Sequence, residues 1–395
     1  MRLGRILQGY RKVHPKNLRE APLALAEVHR GNEGKGIGPI VLENLDAAVQ
    51  MTPNFSVTGR QLWNSTKLLR ENRHMRRSFG ACVFGGASAI QHAWREYKIQ
   101  PHVVYVPNTE PTVPAWCLED ELPTCVVCCS PVDINKTLLS AERGDGYAAE
   151  FPTPKTHSLE TFLGAHKPSR LGSVLVLVGL RIPSNVGVLI RAAVDMGFES
   201  ILLDDCVDVF HEKVLRASGG RVFSPNIKIF ETHGASIPLL SSIALEHQLL
   251  PLLALPSREA EPAFQVARRL HESNAARRRN RDPDAGSTDD HLGPMLVLGS
   301  ESKGLRGLEG EWTVPYRAVS IPLPNSFIDS INVSVAGSVL LHAFRPAAEK
   351  YIAKTAEALL NACSAAGIQP LLAKKDGKQG KKNKRRAEFL NAHCC

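Results

Sequence analysis

The spacing of apolar residues changes along the chain and predicts the order of its elements. From about residue 60, helical spacing in "QLWNSTKLLRENRHMRR" and "ASAIQHAWREY" alternates with short apolar runs in "ACVF", "HVVYV" and "TCVVC". The next segment, "VDINKTLLSAERGDGYAAEFPTP", predicts a helix, a Gly-Asp-Gly turn and an extended stretch. The first half therefore predicts a small α/β unit.

The second half contains longer apolar runs that alternate with helical stretches. The runs are "SVLVLVGL", "SILLDD", "IKIF", "QLLPLLAL" and "MLVLGS". Strands that are apolar at nearly every position are typical of a parallel sheet buried on both faces. The second half therefore predicts an α/β domain with such a sheet.

Changes in composition divide the chain of 395 residues into five predicted regions. Within the second domain, residues 257–294 are charged and poor in large apolar residues, and we expect a partly disordered surface insertion there. The regions are a basic arm at 1–58, a small α/β domain at 59–155, a linker at 156–170, the parallel-sheet domain at 171–346, and a C-terminal helix with a Lys-rich tail at 347–395.

The charge of the chain favours a polyanionic partner. Its formal net charge is +9, and the segment 374–386 has eight Lys or Arg residues against one Asp. Residues 1–19 contain six basic residues and no acid, which fits a mitochondrial presequence, a basic arm being the alternative. We expect a mitochondrial protein, with nucleus, nucleolus and cytosol left open. No apolar run reaches the length of a membrane span, so we expect no membrane partner.

The nine cysteines are scattered and odd in number, which favours a reducing compartment over a disulfide framework. The cluster "CVVCC" has one C-x-x-C spacing that suits zinc, but no second ligand pair follows it. We therefore favour a buried strand with free thiols and expect no metal.

Three segments that follow predicted strands carry candidate chemistry, because ligands collect beyond the carboxyl ends of parallel strands. In the first, Asn185 can cap the next helix, Gly187 permits close approach, and Arg191 suits a phosphate or a surface ion pair. In the second, Gly299 ends a strand before a tight loop with Glu301 and Gly304 that matches neither a Walker loop nor a dinucleotide fingerprint. A cofactor without phosphates is therefore favoured.

The third segment runs from Ile321 into a helix that we expect to begin at Ser330–Asn332 and to be buried on nearly every side. Its small residues Ser334, Gly337 and Ser338 permit close packing of another helix, such as one from a second subunit. In the first half, a basic helix face predicts either a contact with an RNA backbone or a solvated surface. That face contains Lys67, Arg70, His74 and Arg77.

Taken together, "NVGVLIR", "LVLGSESKGL" and "IPLPNSFIDSINVSVAG" resemble the three motifs of the SpoU/TrmH family of RNA ribose methyltransferases, within the SPOUT superfamily. The resemblance extends to "HEKVLRASGGRVFSPNI" and covers about residues 170–346. The region 62–155 is more loosely similar to the small substrate-binding domain that precedes the catalytic domain there. Ile182 stands where the family commonly has an acidic residue, and Ile331 where it usually has leucine.

The resemblance implies a trefoil-knotted parallel-sheet SPOUT methyltransferase domain, a homodimer, and S-adenosylmethionine as cofactor. It implies that the methyl group moves to a ribose 2′-hydroxyl, with Arg191 beside the 2′-oxygen and a phosphate. The residues that the resemblance assigns to catalysis are Asn185, Arg191, Glu301, Ser330 and Asn332. Those that it assigns to the cofactor are Gly299, Glu301, Gly304, Ile321, Leu323 and Ile331. The residues predicted to contact RNA are Lys67, Arg70, Arg77 and Arg191.

The expected substrate is structured RNA, and ribosomal RNA is preferred to transfer RNA because the small domain and basic tails suit a large RNA particle. An alternative is a non-catalytic ribosome-assembly factor with the same fold. A dinucleotide-dependent oxidoreductase is disfavoured because no glycine fingerprint follows a strand.

Overall fold

A computed structural model describes most of residues 39–346. The described ranges are 39–52, 55–109, 112–118, 125–154, 157–158, 171–257, 259–279, 292–300, 303–305, 307–308, 310, 312–323 and 331–346. Glu301 and Ser330, the basic segment 1–19 and the Lys-rich tail lie outside these ranges.

The first half forms a five-stranded sheet in the order β1-β6-β5-β7-β4, with a separate β2–β3 hairpin. β1, β6 and β5 are parallel, whereas β7 runs antiparallel to both β5 and β4. The strands are β1 (Ile40–Leu42), β2 (Ala48–Thr52), β3 (Phe55–Thr58), β4 (Ala81–Gly85), β5 (Val103–Pro107), β6 (Cys125–Cys129) and β7 (Ala148–Pro152).

The predicted arm at 1–58 is too long, because residues 40–42, 48–52 and 55–58 form strands. β1 pairs with β6 and buries Leu42, and β3 pairs with β2 and buries Val57. Strands this short carry a weak periodic signal, and their stability comes from a partner distant in sequence.

The helices of the first half are α1 (Gly59–Glu71), α2 (Arg73–Phe79) and α3 (Ala87–Arg95), and a short helical segment at Pro131–Asp133 continues as a π-helix at Ile134–Leu138. The prediction of a single helix across residues 61–77 is wrong, because the helix is interrupted at Asn72. The backbone of Asn72 is extended, and its side chain accepts a hydrogen bond from the Met75 amide, so it caps α2.

The second half forms an eight-stranded sheet in the order β13-β15-β12-β14-β9-β10-β11-β8, in which every pairing is parallel. Its strands are β8 (His157–Ser158), β9 (Val174–Val178), β10 (Ser200–Asp204), β11 (Lys228–Thr232), β12 (Leu249–Ala254), β13 (Glu261–Pro262), β14 (Gly293–Gly299) and β15 (Arg317–Ser320). Its helices are α4 (Pro183–Asp195), α5 (Glu212–Ala217), α6 (Ile237–Glu246), α7 (Ala263–Arg279) and α8 (Val333–Ala343). No helix in the described ranges is long and apolar enough to cross a membrane.

Both faces of the second sheet are buried, which confirms the prediction from its apolar strands. On β9, Leu175 and Leu177 belong to one apolar cluster, and Val174 and Val176 belong to another. Successive side chains point to opposite faces of a strand, so the two clusters lie on opposite faces.

The prediction of a partly disordered surface insertion is wrong for residues 261–279. Glu261–Pro262 add an edge strand, and α7 buries residues at positions i, i+3, i+4 and i+7, so its charges occupy the opposite face. The buried residues are Ala263, Val266, Ala267 and Leu270. The predicted linker is also too long, because His157–Ser158 pair with β11.

The strand predicted at the cysteine cluster is confirmed. Cys125 and Cys129 are buried on β6, and burial raises the pKa of each thiol to about 12. Within the described ranges, no three His, Cys, Asp or Glu side chains lie where they could hold a metal ion.

The two sheets meet through an aromatic cluster and a buried ion pair. The rings of Phe84 and Phe151, from the first sheet, stack at 5.0 Å, and Phe223 lies 5.3 Å from Phe84. Arg76 Nη2 lies 2.6 Å from Asp208 Oδ2, and both side chains are almost fully buried. One apolar cluster therefore includes residues of both sheets.

Candidate active site

The carboxyl ends of four neighbouring strands form one edge of the second sheet. Gly299 pairs in register with Val178, and Ala254 pairs with Val319. Because β9, β14, β12 and β15 are parallel neighbours, the loops that follow them leave from the same edge. The sheet order reverses direction at β9 and β14, and in open α/β sheets such a switch point is where ligands bind.

The loop after β14 folds tightly back on the strand. The Gly304 amide donates to the Ser300 carbonyl at 2.8 Å, and a Cβ on Gly299 would lie 2.1 Å from the Gly304 carbonyl oxygen. Gly304 itself has φ +59, and within the described residues nothing lies within 4 Å of where its Cβ would be. The predicted tight loop is confirmed, and it leaves open backbone at Gly304.

The loop after β15 adds apolar surface to this edge. Ile321 and Leu323 are half-buried, and Ile321 packs against the core. The Ser320 hydroxyl donates to the Ala260 carbonyl at 3.1 Å, which joins this loop to the one after β12. Ile331, at the end of the undescribed segment 324–330, is half-buried as well.

Helix α4 begins at Pro183, earlier than expected. The N-cap position is Ile182, which makes no side-chain capping hydrogen bond, so the prediction that Asn185 caps the helix is wrong. Proline favours the first helical position, and Pro183 therefore starts the helix two residues before Asn185. Asn185 is buried within the first turn.

Gly187 brings α4 close to α5, as predicted. A Cβ there would lie 2.6 Å from both the Ala217 Cβ and the Val214 carbonyl oxygen. Any larger residue would push the two helices apart.

Arg191 lies on the exposed side of α4, with its side chain 56% accessible. Its Nε is 3.7 Å from Asp195 Oδ2, and its guanidinium makes no hydrogen bond with any described residue. Eight residues of helix separate it from Pro183, which is about 12 Å along the axis. Arg191 therefore lies about two turns along α4 from the end of the helix that leaves the sheet edge.

Asn332 is the N-cap of α8, and its side chain accepts from the Ser334 amide at 2.9 Å, so the predicted helix start is confirmed. Gly337 packs against α4 and β14, where a Cβ would lie 2.3 Å from Leu189 Cδ2 and 2.7 Å from Leu298 Cδ1. The prediction that this helix is buried on nearly every side is wrong, since the Val335 side chain is 54% exposed. Only one face of α8 reaches the core of its own chain.

The basic face of the first half is partly paired within the chain. Arg70 Nη1 donates to the Thr137 carbonyl at 2.8 Å, and Arg77 forms ion pairs with Asp208 and Glu231. Lys67 is half-buried on α1. RNA contact by Lys67, Arg70 and Arg77 stays a prediction.

The sequence analysis did not single out three charged side chains near this edge or near Arg191. Two carboxylates end β10 at the same edge: burial raises the pKa of Asp204, whereas the hydrogen bond from His233 lowers the pKa of Asp205. Arg221 donates from Nε to Asp195 at 3.0 Å, beside Arg191. The paired aspartates and the "SGGR" turn were visible in the sequence, but their partners lie far along the chain.

Comparison with known proteins finds a family match that covers most of the second sheet. Residues 172–342 match the SpoU rRNA Methylase family. A 23S rRNA (adenosine(1067)-2′-O)-methyltransferase of Streptomyces azureus is 28% identical over 176 residues, which are 44% of this chain and 54% of that protein. An uncharacterized tRNA/rRNA methyltransferase of Synechocystis sp. is 28% identical over 192 residues, 48% of this chain and 58% of that protein.

Solved structures agree at the level of fold. An RNA 2′-O ribose methyltransferase, 24% identical, covers 71% of this chain and 93% of its own, with a TM-score of 0.50. The SpoU methyltransferase AviRb from Streptomyces viridochromogenes, in complex with AdoMet, is 19% identical, covers 71% of this chain and 95% of its own, and has a TM-score of 0.50.

The match over residues 172–342 confirms the resemblance to the SpoU family that the three motifs indicated. The chain spans little more than half the length of the curated relatives that it matches.

Proposed function

We propose that this protein methylates a ribose 2′-hydroxyl of structured RNA, with S-adenosylmethionine as the methyl donor. The observation that carries the proposal is the state of Arg191. Its side chain is half-exposed, and its guanidinium makes no hydrogen bond with any described residue. It lies on the helix that follows the switch-point strand β9, within the segment that matches the SpoU family. The relatives named as RNA methyltransferases support the reaction class.

The residues at the sheet edge fit an adenosyl group without phosphates. Open backbone at Gly304 and half-buried Ile321 and Leu323 offer polar main-chain groups beside apolar surface. Glu301 and Ile331 would complete this pocket with Gly299. When bound, S-adenosylmethionine supplies an electrophilic methyl group on a sulfonium.

The remaining chemistry is that of the ribose hydroxyl, which is a poor nucleophile until its proton is lost to solvent water. A guanidinium stays protonated at all working pH values, so Arg191 acts by stabilising the developing oxyanion and holding the adjacent phosphate. Asn332 and Ser330 orient the hydroxyl, and buried Asn185 keeps the first turn of α4 in place.

The proposal includes a homodimer through the knotted methyltransferase domain. Arg191 lies about 12 Å along α4 from Pro183, and in the proposed dimer a second subunit brings a cofactor loop to it. Exposed apolar residues at the N-cap of α4, on α4 and on α8 support this arrangement, because a second subunit could cover them. They are Ile182, Val188 and Val335.

We prefer ribosomal RNA to transfer RNA as the substrate, with the first sheet as the substrate-binding domain. The net charge of +9 supports a polyanionic partner, and one curated relative is named for 23S rRNA. Mapping 2′-O-methyl positions in ribosomal and transfer RNA, with and without the protein, tests this preference. Mitochondrial location is proposed from the basic segment 1–19 alone.

Arg191→Ala tests the catalytic proposal. We expect methyl transfer to be lost while the affinity for S-adenosylmethionine, measured by isothermal titration, stays within about twofold, because the loss concerns transition-state charge rather than cofactor binding. Arg268→Ala is the matched control, since Arg268 pairs with Glu272 four residues on along α7. An unchanged rate would remove Arg191 from the mechanism, and absence of cofactor binding by the wild type would favour a non-catalytic assembly factor.

A further inference from the structure

Arg221 occupies a constrained position beside the candidate catalytic arginine. It follows Gly219 and Gly220, whose φ angles of +56 and +76 place the chain in the left-handed region, and it begins a short 3-10 turn. Its Nε donates to Asp195 Oδ1 at 3.0 Å, and its side chain is 23% exposed.

Asp195 is shared between two arginines. Its second oxygen, Oδ2, lies 3.7 Å from Arg191 Nε, one helical turn earlier on α4. A Cβ on Gly219 would lie 3.9 Å from Arg191 Nη1, so the glycine turn and the Arg191 guanidinium are neighbours. Two guanidiniums around one carboxylate leave the cluster with an excess of one positive charge.

The donors of this cluster exceed what Asp195 can accept. Arg221 Nη1 makes a long 3.4 Å hydrogen bond to the Gly219 carbonyl, and Nη2 makes none with any described residue. Guanidinium groups with unused, adjacent donors suit the oxygens of a phosphodiester, which accept paired hydrogen bonds. The 3.0 Å hydrogen bond to Asp195 uses only Nε of Arg221, and the 3.7 Å contact between the exposed side chains of Arg191 and Asp195 stabilises α4 little, so a structural role leaves most donors of the cluster unused.

The cluster also lies where the first sheet meets the second. Tyr97, just after α3, is close enough for the charges of Arg221 and Asp195 to act on its phenol, and its hydroxyl lies 3.2 Å from His92 Nε2. An RNA strand held by the first sheet would therefore reach Arg221 and Arg191 together.

We propose that Arg221 is a second phosphate-binding residue of the candidate site, placed beside Arg191 by the Gly219–Gly220 turn with Asp195 shared between the two guanidiniums, and that the two arginines bind the RNA backbone next to the methylated ribose. This inference rests on the proposed function, and it adds a residue that the three family motifs do not contain.

Arg221→Gln tests the phosphate contact, with filter retention of labelled ribosomal RNA from cells lacking the protein across a range of salt concentrations. Loss of one phosphate contact lowers the slope of log affinity against log salt by about 0.7 to 0.9. Affinity at 0.1 M salt should therefore fall about five- to eightfold, and the two proteins should converge near 1 M salt. Arg268→Gln, which breaks the Arg268–Glu272 pair of α7, should leave the slope unchanged. An Arg221→Gln slope equal to that of the wild type would overturn the inference.

Asp195→Asn gives a change of opposite sign. Removing a carboxylate that competes with phosphate should tighten RNA binding about twofold, whereas a purely structural Asp195 would give weaker binding on substitution. Weaker or unchanged binding would overturn the shared-carboxylate arrangement. The same preparations are assayed for methyl transfer. If the wild type transfers methyl groups and Arg221→Gln has the same salt slope as the wild type, only this inference is refuted. If the wild type binds S-adenosylmethionine but methylates no RNA, the proposed function is refuted.

Discussion

Replacing Asp208 with alanine removes one half of the buried ion pair between the two sheets. The Arg76 guanidinium is held by Asp208 and by the carbonyls of Leu69 and Arg70, at 2.7 and 2.8 Å. The Arg76 side chain is only 3% exposed, so water does not replace the lost carboxylate. In Asp208→Ala, a positive charge stays buried without its counter-ion.

The expected cost follows from that burial. Removing one partner of a buried pair destabilises by about 3 to 5 kcal/mol, because the other charge keeps its desolvation penalty. A loss of 1 kcal/mol lowers the unfolding temperature of a domain of this size by about 2 to 4 °C, so the predicted decrease is about 6 to 20 °C. Arg77 also loses its ion pair with Asp208 but keeps the one with Glu231, so Arg76 is the guanidinium left buried without a carboxylate.

Thermal unfolding followed by circular dichroism measures the effect. Asp46→Ala is the matched control: Arg60 and Asp46 also form a hydrogen-bonded pair at 2.8 Å, but their side chains are 57% and 78% exposed, so its loss should cost less than about 1 kcal/mol. Arg76→Met combined with Asp208→Leu should recover most of the stability, because it removes both charges. A decrease in Asp208→Ala no larger than in Asp46→Ala would refute the reasoning.

Two further predictions concern a buried carboxyl and the exposed face of α8. Burial raises the pKa of Glu212, so the protonated form of this carboxyl favours folding. Glu212→Gln should therefore raise the unfolding temperature at pH 7 and lose this advantage below its ordinary pKa of 4.5; an advantage persisting there would contradict the assignment. Val335→Lys should halve the mass measured by light scattering, because it charges the proposed dimer surface, while Leu245→Lys, at another exposed apolar position, should not; equal masses would count against that surface.

Strands of the second sheet were predictable because they are buried on both faces. A run such as Leu175–Leu177 is apolar at every position, and this signal needs no knowledge of a partner strand. The same reasoning failed for β1 and β8, at Ile40–Leu42 and His157–Ser158, where a few residues acquire strand geometry only by pairing with a longer strand.

The charged segment after β12 shows how composition misled the prediction. Averaged over the whole segment, the many Arg and Glu residues indicate disorder, but the apolar residues from Ala263 to Leu270 recur at helical spacing. Tertiary packing selects that stripe, and Asn274 reinforces it by hydrogen bonds in both directions with Leu292.

For the site, the sequence alone indicated the family resemblance, the order of the three motifs and the close approach at Gly187, since these depend on residue types at fixed local spacing. Only the tertiary structure decided which charges meet. Asp195 lies 26 residues from Arg221 along the chain, and Arg76 lies 132 residues from Asp208. Ion pairs depend on separation in space, and folding brings these groups together in ways that local periodicity does not encode.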